Sequence, residues 1–238
     1  MLVAMPLAAQ TDDDNDIEFD PNITQAEFTE FSRLVAQSIY ATPVEPARAR
    51  GILGFDIGVA ATAVPIDPNA GYWQRAVSED FSVSDHVAVP RLVASKGFSF
   101  FTVSAAYAKV PDTDIQMLGG SIDVPILSGG LVSPTLAVRG AYSQIQGVEQ
   151  YDLKTYGVEL FLSKGFGPIT PYAAVGQMKL DAEGRINFPN ANTVTLTDDS
   201  SMTRYTVGVR LSLLLPKISV EATQAEERSY AAKVSFGF

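Results

Sequence analysis

From Ile52 to the C-terminus the chain repeats one beat, an apolar residue at every second position. Phe55, Ile57, Val59 and Ala61 alternate with Asp56, Gly58, Ala60 and Thr62. The pattern returns in Phe101, Val103, Ala105 and Tyr107, in Leu136, Val138, Gly140 and Tyr142, in Tyr156, Val158, Leu160 and Leu162, and in Tyr205, Val207, Val209 and Leu211. A period of two puts alternate side chains on opposite faces of an extended chain, so each segment predicts a strand. Ten such segments can be marked, near 52–64, 87–96, 99–110, 115–126, 134–144, 153–163, 169–180, 202–214, 217–225 and 229–238.

Which face meets water follows from what lies between the apolar residues. A soluble sandwich or lipocalin-like barrel turns its apolar set to a core and carries charge on the other face. Here the interleaved set is mostly Gly, Ala, Ser and Thr, too poor in charge for a water-facing wall. Mean hydropathy is +0.11 in a chain of net charge -10, yet no apolar run approaches the ~18 residues of a membrane helix. Dispersed apolar residues, short turns and longer intervening loops together predict an all-β fold, a closed antiparallel transmembrane β-barrel of about ten strands. The short turns carry Lys96-Gly97-Phe98, Ser128-Gly129-Gly130, Lys164-Gly165-Phe166 and Leu215-Pro216-Lys217; two long polar loops span about 65–86 and 181–201. Ser95-Lys96-Gly97-Phe98 and Ser163-Lys164-Gly165-Phe166 match each other, a hairpin-level repeat.

The N-terminal quarter follows other rules. Residues 1–10 look like a signal-peptide remnant, apolar with small residues at Ala8 and Ala9 but without a basic start. Residues 11–23 are an acidic segment expected to be disordered, and they lack the Gly and Glu spacing of a calcium loop. Residues 24–48 are expected to form a periplasmic helix and linker, and 49–238 the barrel. Thr24 and Glu27 make a capping box, Ile23 and Phe28 take the staple positions, and Phe28, Phe31, Leu34, Val35 and Ile39 form one apolar stripe. Pro43 and Pro46 end the amphipathic helix.

Composition removes whole classes of chemistry. With no cysteine and only His86, thiolate sites, cysteine nucleophiles and histidine-rich metal centres are out of reach, and no metal or cofactor is expected. The acidic balance argues against nucleic acid as a partner. Ser84-Asp85-His86 at the outer end of the second strand is similar to the surface sites of barrel enzymes that edit lipid A. Three adjacent residues point to alternating sides and make no triad unaided, so no enzyme activity is expected. Tyr72, Trp73 and Phe81 would serve equally as interfacial anchors or as an adhesive surface.

The chain ends in a strand with Tyr230, Val234, Phe236 and a terminal Phe238 on one parity. That strand resembles the signal that bacterial outer-membrane proteins present to the barrel assembly machinery. With its SKGF turns and the stretch Thr170-Pro171-Tyr172-Ala173-Ala174-Val175-Gly176, the chain resembles a group of uncharacterised outer-membrane barrels. The resemblance implies an integral outer-membrane location in a Gram-negative cell, with membrane lipid and the assembly machinery as partners and a monomer favoured. It implies no activity.

Two sets of residues carry the functional expectation. Tyr107, Tyr142, Tyr156, Tyr205 and Tyr230 share the apolar parity at one distance from the short turns, predicting an extracellular aromatic girdle. Asp56, Arg91, Asp123, Arg139, Glu159, Arg210, Glu221 and Lys233 share the polar parity, predicting a lumen charge belt of nearly alternating sign near the periplasmic mouth. Such a belt is either a constriction controlling solute passage or an ionic plug. Gly58, Ala60, Ser104, Ala106, Ala141, Gly157 and Gly208 leave lumen space for water or for an inserted segment such as the helix. The expected role is a narrow solute channel or a closed structural barrel; the alternatives are a lipid-modifying hydrolase at the outer rim and a surface adhesion protein.

Overall fold

The computed structural model describes residues 17–77, 85–110, 114–130, 132–186 and 193–238. Residues 1–10, the first four residues of the acidic run, Phe81 and Ser84 lie outside the described residues.

Ten strands form a closed antiparallel ring. They are β1 (Phe55–Pro65), β2 (His86–Gly97), β3 (Thr102–Lys109), β4 (Gln116–Leu127), β5 (Thr135–Gln146), β6 (Tyr151–Ser163), β7 (Ile169–Ile186), β9 (Ser201–Ser212), β10 (Pro216–Gln224) and β11 (Arg228–Gly237). Each pairs with its neighbours in sequence, β7 bridges β6 and β9, and β1–β11 closes the ring. At closure Phe55 and Phe238 exchange backbone hydrogen bonds of 2.9 and 3.0 Å, and their rings meet edge to face at 4.6 Å. The ten segments marked by period two are these ten strands.

An eleventh strand, β8 (Val194–Asp198), pairs only with the far end of β7, Ala182 to Ile186. The stretch expected as a polar loop over 181–201 is therefore a hairpin standing beyond the ring. Its alternation is real but inverted in weight: Leu180, Ala182 and Ile186 point inward and are buried, while Asp181 is exposed.

The outer wall reads the same way along strand after strand. Outward positions are apolar from the short turns upward, reach a tyrosine, and then turn polar. Tyr107 is followed outward by Lys109, Tyr142 by Gln144, Tyr156 by Lys154, Tyr205 by Thr203 and Tyr230 by Arg228. All five tyrosines are exposed on this wall, and Tyr142 and Tyr156 are direct cross-strand partners. A twelve-residue strand such as β5, tilted about 45°, rises about 28 Å. That is close to the ~30 Å of a hydrocarbon core. Val158, Val207 and Phe236 are each about 60% exposed, a cost that only a lipid solvent removes.

The helix α1 (Gln25–Ile39) begins with the expected capping box: Thr24 Oγ1 accepts from the Glu27 amide and Glu27 accepts from the Thr24 amide. Its position corrects the expectation of a periplasmic helix. It lies inside the barrel at the long-loop end, against β1, β2 and β5–β8 and the short helix α2 (Gly71–Gln74). Surrounded by wall, it buries Ser32, Gln37 and Ser38 as well as its apolar stripe. Phe19, Phe28, Phe31, Trp73 and Tyr151 form one aromatic cluster with ring separations of 5.4 to 6.1 Å. Tyr72 and Trp73 are thereby buried, so they offer no adhesive surface.

Replacing Phe238 by Ala removes the edge-to-face contact with Phe55 at the closing seam, an interaction of about 0.5–1.5 kcal/mol beyond its area. The expected result is a lower yield of folded, heat-modifiable protein on unboiled gels, with strand content unchanged in the fraction that does fold.

Candidate functional site: the filled lumen

Residues 40–50 run from the end of α1 to the short-turn end through the middle of the barrel, where Gly54 and Phe55 start the first strand. This thread is extended because Pro43 and Pro46 forbid helix there. Val44 between them is buried with φ 51°, a left-handed conformation that costs a β-branched residue about 1–3 kcal/mol. The kink aims Glu45 at the barrel wall.

Small residues on the inner wall make the passage. A Cβ at Gly119 would sit 2.2 Å from Cβ of Ala41, and one at Gly157 would sit 2.6 Å from the Tyr40 hydroxyl. Of the two readings left open for the small lumen residues, the inserted segment is the one observed.

All eight residues of the expected belt are buried inside the ring, but their pairing differs from a simple alternation. Arg139 stands between Asp123 and Glu159 in register. It bonds Asp123 through two contacts, Nε–Oδ1 2.7 Å and Nη2–Oδ2 2.9 Å, donates to the Glu45 carbonyl at 3.0 Å, and lies 4.4 Å over the Phe161 ring. Glu159 pairs with Arg204 at 3.3 Å, and that guanidinium stacks 4.5 Å over Tyr40. Glu221 accepts a 2.9 Å hydrogen bond from the Tyr172 hydroxyl. Asp56 meets Lys233 at 2.8 Å, Lys217 at 3.0 Å and Arg50 at 3.7 Å. Glu45 meets Arg50 and, at 3.3 Å, Lys233. Arg91 donates to Thr62 Oγ1 at 2.7 Å and to the Thr42 carbonyl at 3.2 Å, and among the described residues it reaches no carboxylate within 4.0 Å.

The residues absent from the expected belt are Glu45, Arg48 and Arg50 from the thread, with Arg204, Tyr172 and Lys217 from the wall. Arg204 shares the inward parity of Thr206 and Arg210 and was legible on the same strand, six residues from Arg210, which the belt already included. Glu45, Arg48 and Arg50 lie before the alternating region and carried no strand signal. Lys217 reads as a turn residue until β10 is seen to begin at Pro216.

At the opposite end α1 is fastened to the rim. Arg33 reaches Glu226 at 3.2 Å, the Gln37 amide donates to the Glu227 carbonyl at 2.7 Å, and Gln25 donates to the Thr197 carbonyl at 2.8 Å. Glu27 binds Arg75 at 2.7 Å beside α2. The backbone and side-chain hydrogen bonds from Thr24, with Arg75 alongside, hold the Glu27 carboxyl below the usual range. Asp85 lies 2.8 Å from Nδ1 of His86 on this rim, both side chains exposed. Among the described residues no group of three acidic or histidine side chains is placed to hold a metal.

No protein-family model matches the chain, and no curated protein matches it in sequence. Solved structures do. The N-terminal barrel domain of OprF from Pseudomonas aeruginosa aligns over 77% of this chain and 97% of its own, at 10% identity and a TM-score of 0.34. Ail, the attachment invasion locus protein of Yersinia pestis, aligns over 78% and 97%, at 11% identity and a TM-score of 0.33. Neisserial surface protein A aligns over the same shares, at 10% identity and a TM-score of 0.30.

Arg139→Ala leaves the Asp123 carboxylate buried without its partner, and breaking such a pair costs about 3–5 kcal/mol. Urea unfolding in detergent micelles is expected to show a loss of this size for Arg139→Ala. Removing the orphaned charge as well, in Asp123→Asn with Arg139→Ala, should restore much of the loss. Equal losses in single and double variants would mean that the two side chains are not coupled.

Proposed function

We propose that this chain is an integral outer-membrane β-barrel that is closed by its own N-terminal segment, a structural wall element and not a solute channel. The observation that carries the reading is the thread: residues 40–50 occupy the lumen from end to end while α1 fills the long-loop mouth. A passage for solutes would need a continuous water column. Here Tyr40, Val44, Glu45 and Ala47 are all buried within the ring. The apolar wall with its tyrosine boundary supports lipid as the solvent around it, and a Gram-negative outer membrane as its setting. In that setting the short turns face the periplasm and the long loops the exterior, and Phe238 with its strand engages the assembly machinery. No reaction is assigned to it.

In planar bilayers the full chain is expected to give no discrete conductance steps, whereas deletion of residues 17–45 should produce them in whatever fraction still inserts. Steady pore-sized steps from the full chain would sink the closed-barrel reading.

The thread also ties the side on which residues 17–24 emerge to that of the long loops, expected here to be the exterior. The absence of native cysteine makes this directly testable with Asn22→Cys, an exposed position, and Val132→Cys, exposed at a short turn. In intact cells a membrane-impermeant maleimide should label the first and spare the second. The reverse pattern would place the long loops in the periplasm.

A further inference from the structure

The short-turn end of the barrel is apolar where a water-facing end would be polar. Leu53 before β1, Phe100 between β2 and β3, Val132 between β4 and β5, Phe166 between β6 and β7, and Leu214 between β9 and β10 are each 62% exposed or more. One such tip stands on every connection at this end, beyond the last residues of the strands, so these are turn residues and not part of the outer wall. The same segments, 50–54, 97–101, 128–134, 164–168 and 213–215, contain no Asp or Glu, in a chain of net charge -10. The connections at the other end carry Asp67, Asp114, Glu149, Asp199 and Glu226. The barrel is therefore polarised along its axis, acidic at one end and apolar with cations at the other.

Height places these tips relative to the membrane. Along β6 the outward residues run from Tyr156 to Leu162, and Lys164 follows in the turn. At ~3.3 Å per residue and a tilt of about 45°, the step from Tyr156 to Lys164 rises about 19 Å. An outer-membrane barrel presents an apolar band about 25 Å tall, so the band runs past Lys164 onto Phe166 and the other tips. The lysines of the two SKGF turns suit that depth. Lys96 donates to the Ile52 carbonyl, and Lys164 donates to the carbonyls of Gly130 at 2.9 Å and Ser133 at 3.1 Å. Backbone carbonyls at membrane depth need partners from the protein, and two of the connections receive theirs from these side chains.

We propose that the short-turn end is a docking surface for an anionic phospholipid leaflet. The barrel stops inside the membrane: the turn tips lie where acyl chains meet headgroups, and Lys96 and Lys164 stand at the level of the phosphates. The tips continue the apolar wall, whose outward residues already face lipid. An end with cations and no carboxylates matches an anionic surface, near which each lysine contributes about fivefold in affinity. A second copy stacked end to end would instead set lysine against lysine. The inference rests on the membrane setting proposed above but not on a closed lumen.

The test uses the full chain in mixed vesicles of phosphatidylethanolamine and phosphatidylglycerol, with a nitroxide on one introduced cysteine at a time. Leu53→Cys and Val132→Cys report on the tips, Val158→Cys on the wall and Asn22→Cys on the far end, all at exposed positions. Collisions with oxygen, which concentrates in hydrocarbon, and with a neutral nickel chelate, which stays in water, give the depth of each label. The tip labels are expected to show an oxygen-to-nickel ratio severalfold above that of Asn22→Cys. Tips as open to nickel as Asn22→Cys would overturn the proposal by leaving them in water, and tips shielded from both reagents would overturn it by giving them a protein cover. Water exposure at Val158→Cys would end the membrane reading itself, an outcome distinct from either. For the charge, spin-labelled phosphatidylglycerol should be retained at the barrel in preference to spin-labelled phosphatidylcholine. Lys96→Gln, at an exposed position, should lower that preference by up to about fivefold at low salt. Equal retention of the two lipids, or an undiminished preference in Lys96→Gln, would also overturn the proposal. Conductance by the full chain would end the closed-barrel reading and leave this one intact.

Discussion

Glu45 is the point on which the inside of this barrel depends. Its carboxylate meets Arg50 and Lys233, its side chain is within 3.5 Å of the Ser95 hydroxyl, and its carbonyl accepts from Arg139. Those contacts join the thread to β2, β5 and β11 at once. The wall sets Arg91, Arg139, Arg204, Arg210, Lys217 and Lys233 against Asp56, Asp123, Glu159 and Glu221, and a buried cation left without a partner costs several kcal/mol. The thread brings one more carboxylate, Glu45, to Lys233, which Asp56 at the start of β1 also meets. Without the thread the wall residues would have to be hydrated. With it Arg139 gains the Glu45 carbonyl, Lys233 the Glu45 carboxylate and Arg91 the Thr42 carbonyl.

The consequence for assembly is topological. The thread enters the ring at one end, leaves at the other, and continues directly into β1, while α1 at the far mouth carries Phe28 and Phe31 into the aromatic cluster. A helix with side chains is about 10–12 Å across. Packed as this one is against the wall, it is far easier to enclose than to insert later. The β1–β11 seam closes the ring around it, and the Phe55–Phe238 contact sits on that seam.

How much of this the sequence shows depends on period. The strands were legible because lipid outside and small or polar residues inside give every strand the same two-residue beat. The helix was legible from Thr24, Glu27 and its apolar spacing. Where the helix goes was not: Phe28, Phe31 and Leu34 say only that a stripe must be covered, and the covering surface is assembled from Tyr151, Leu153, Leu180 and Ile186 on different strands. The hint lay in the inner wall itself. Gly119 and Gly157 are small because Ala41 and Tyr40 pass against them, and a glycine has no period to announce this. The charge belt was half legible for a similar reason. Parity selected the wall residues correctly as inward-facing, but pairing is decided by reach and by Glu45, Arg48 and Arg50, which stand before the alternation begins.

Ion pairs buried this deeply are weak evidence for stability as such, because desolvation offsets most of their attraction. What they impose is register. A strand slipped by one residue turns its whole inward set outward. For β5 that would carry Arg139 into hydrocarbon, and for β9 Arg204 and Arg210, at about 2–4 kcal/mol per Arg or Lys near the midplane. The same slip on β6 would bring Tyr156 or Val158 to the thread in place of Gly157, where Tyr40 leaves no room even for a Cβ. Both penalties act in the same direction on nearly every strand, since charges lie on the inward parity of β1, β2, β4, β5, β6, β9, β10 and β11. The alternation tells each strand which face is lipid. The charges, through the thread they must meet, hold that choice all the way round the ring.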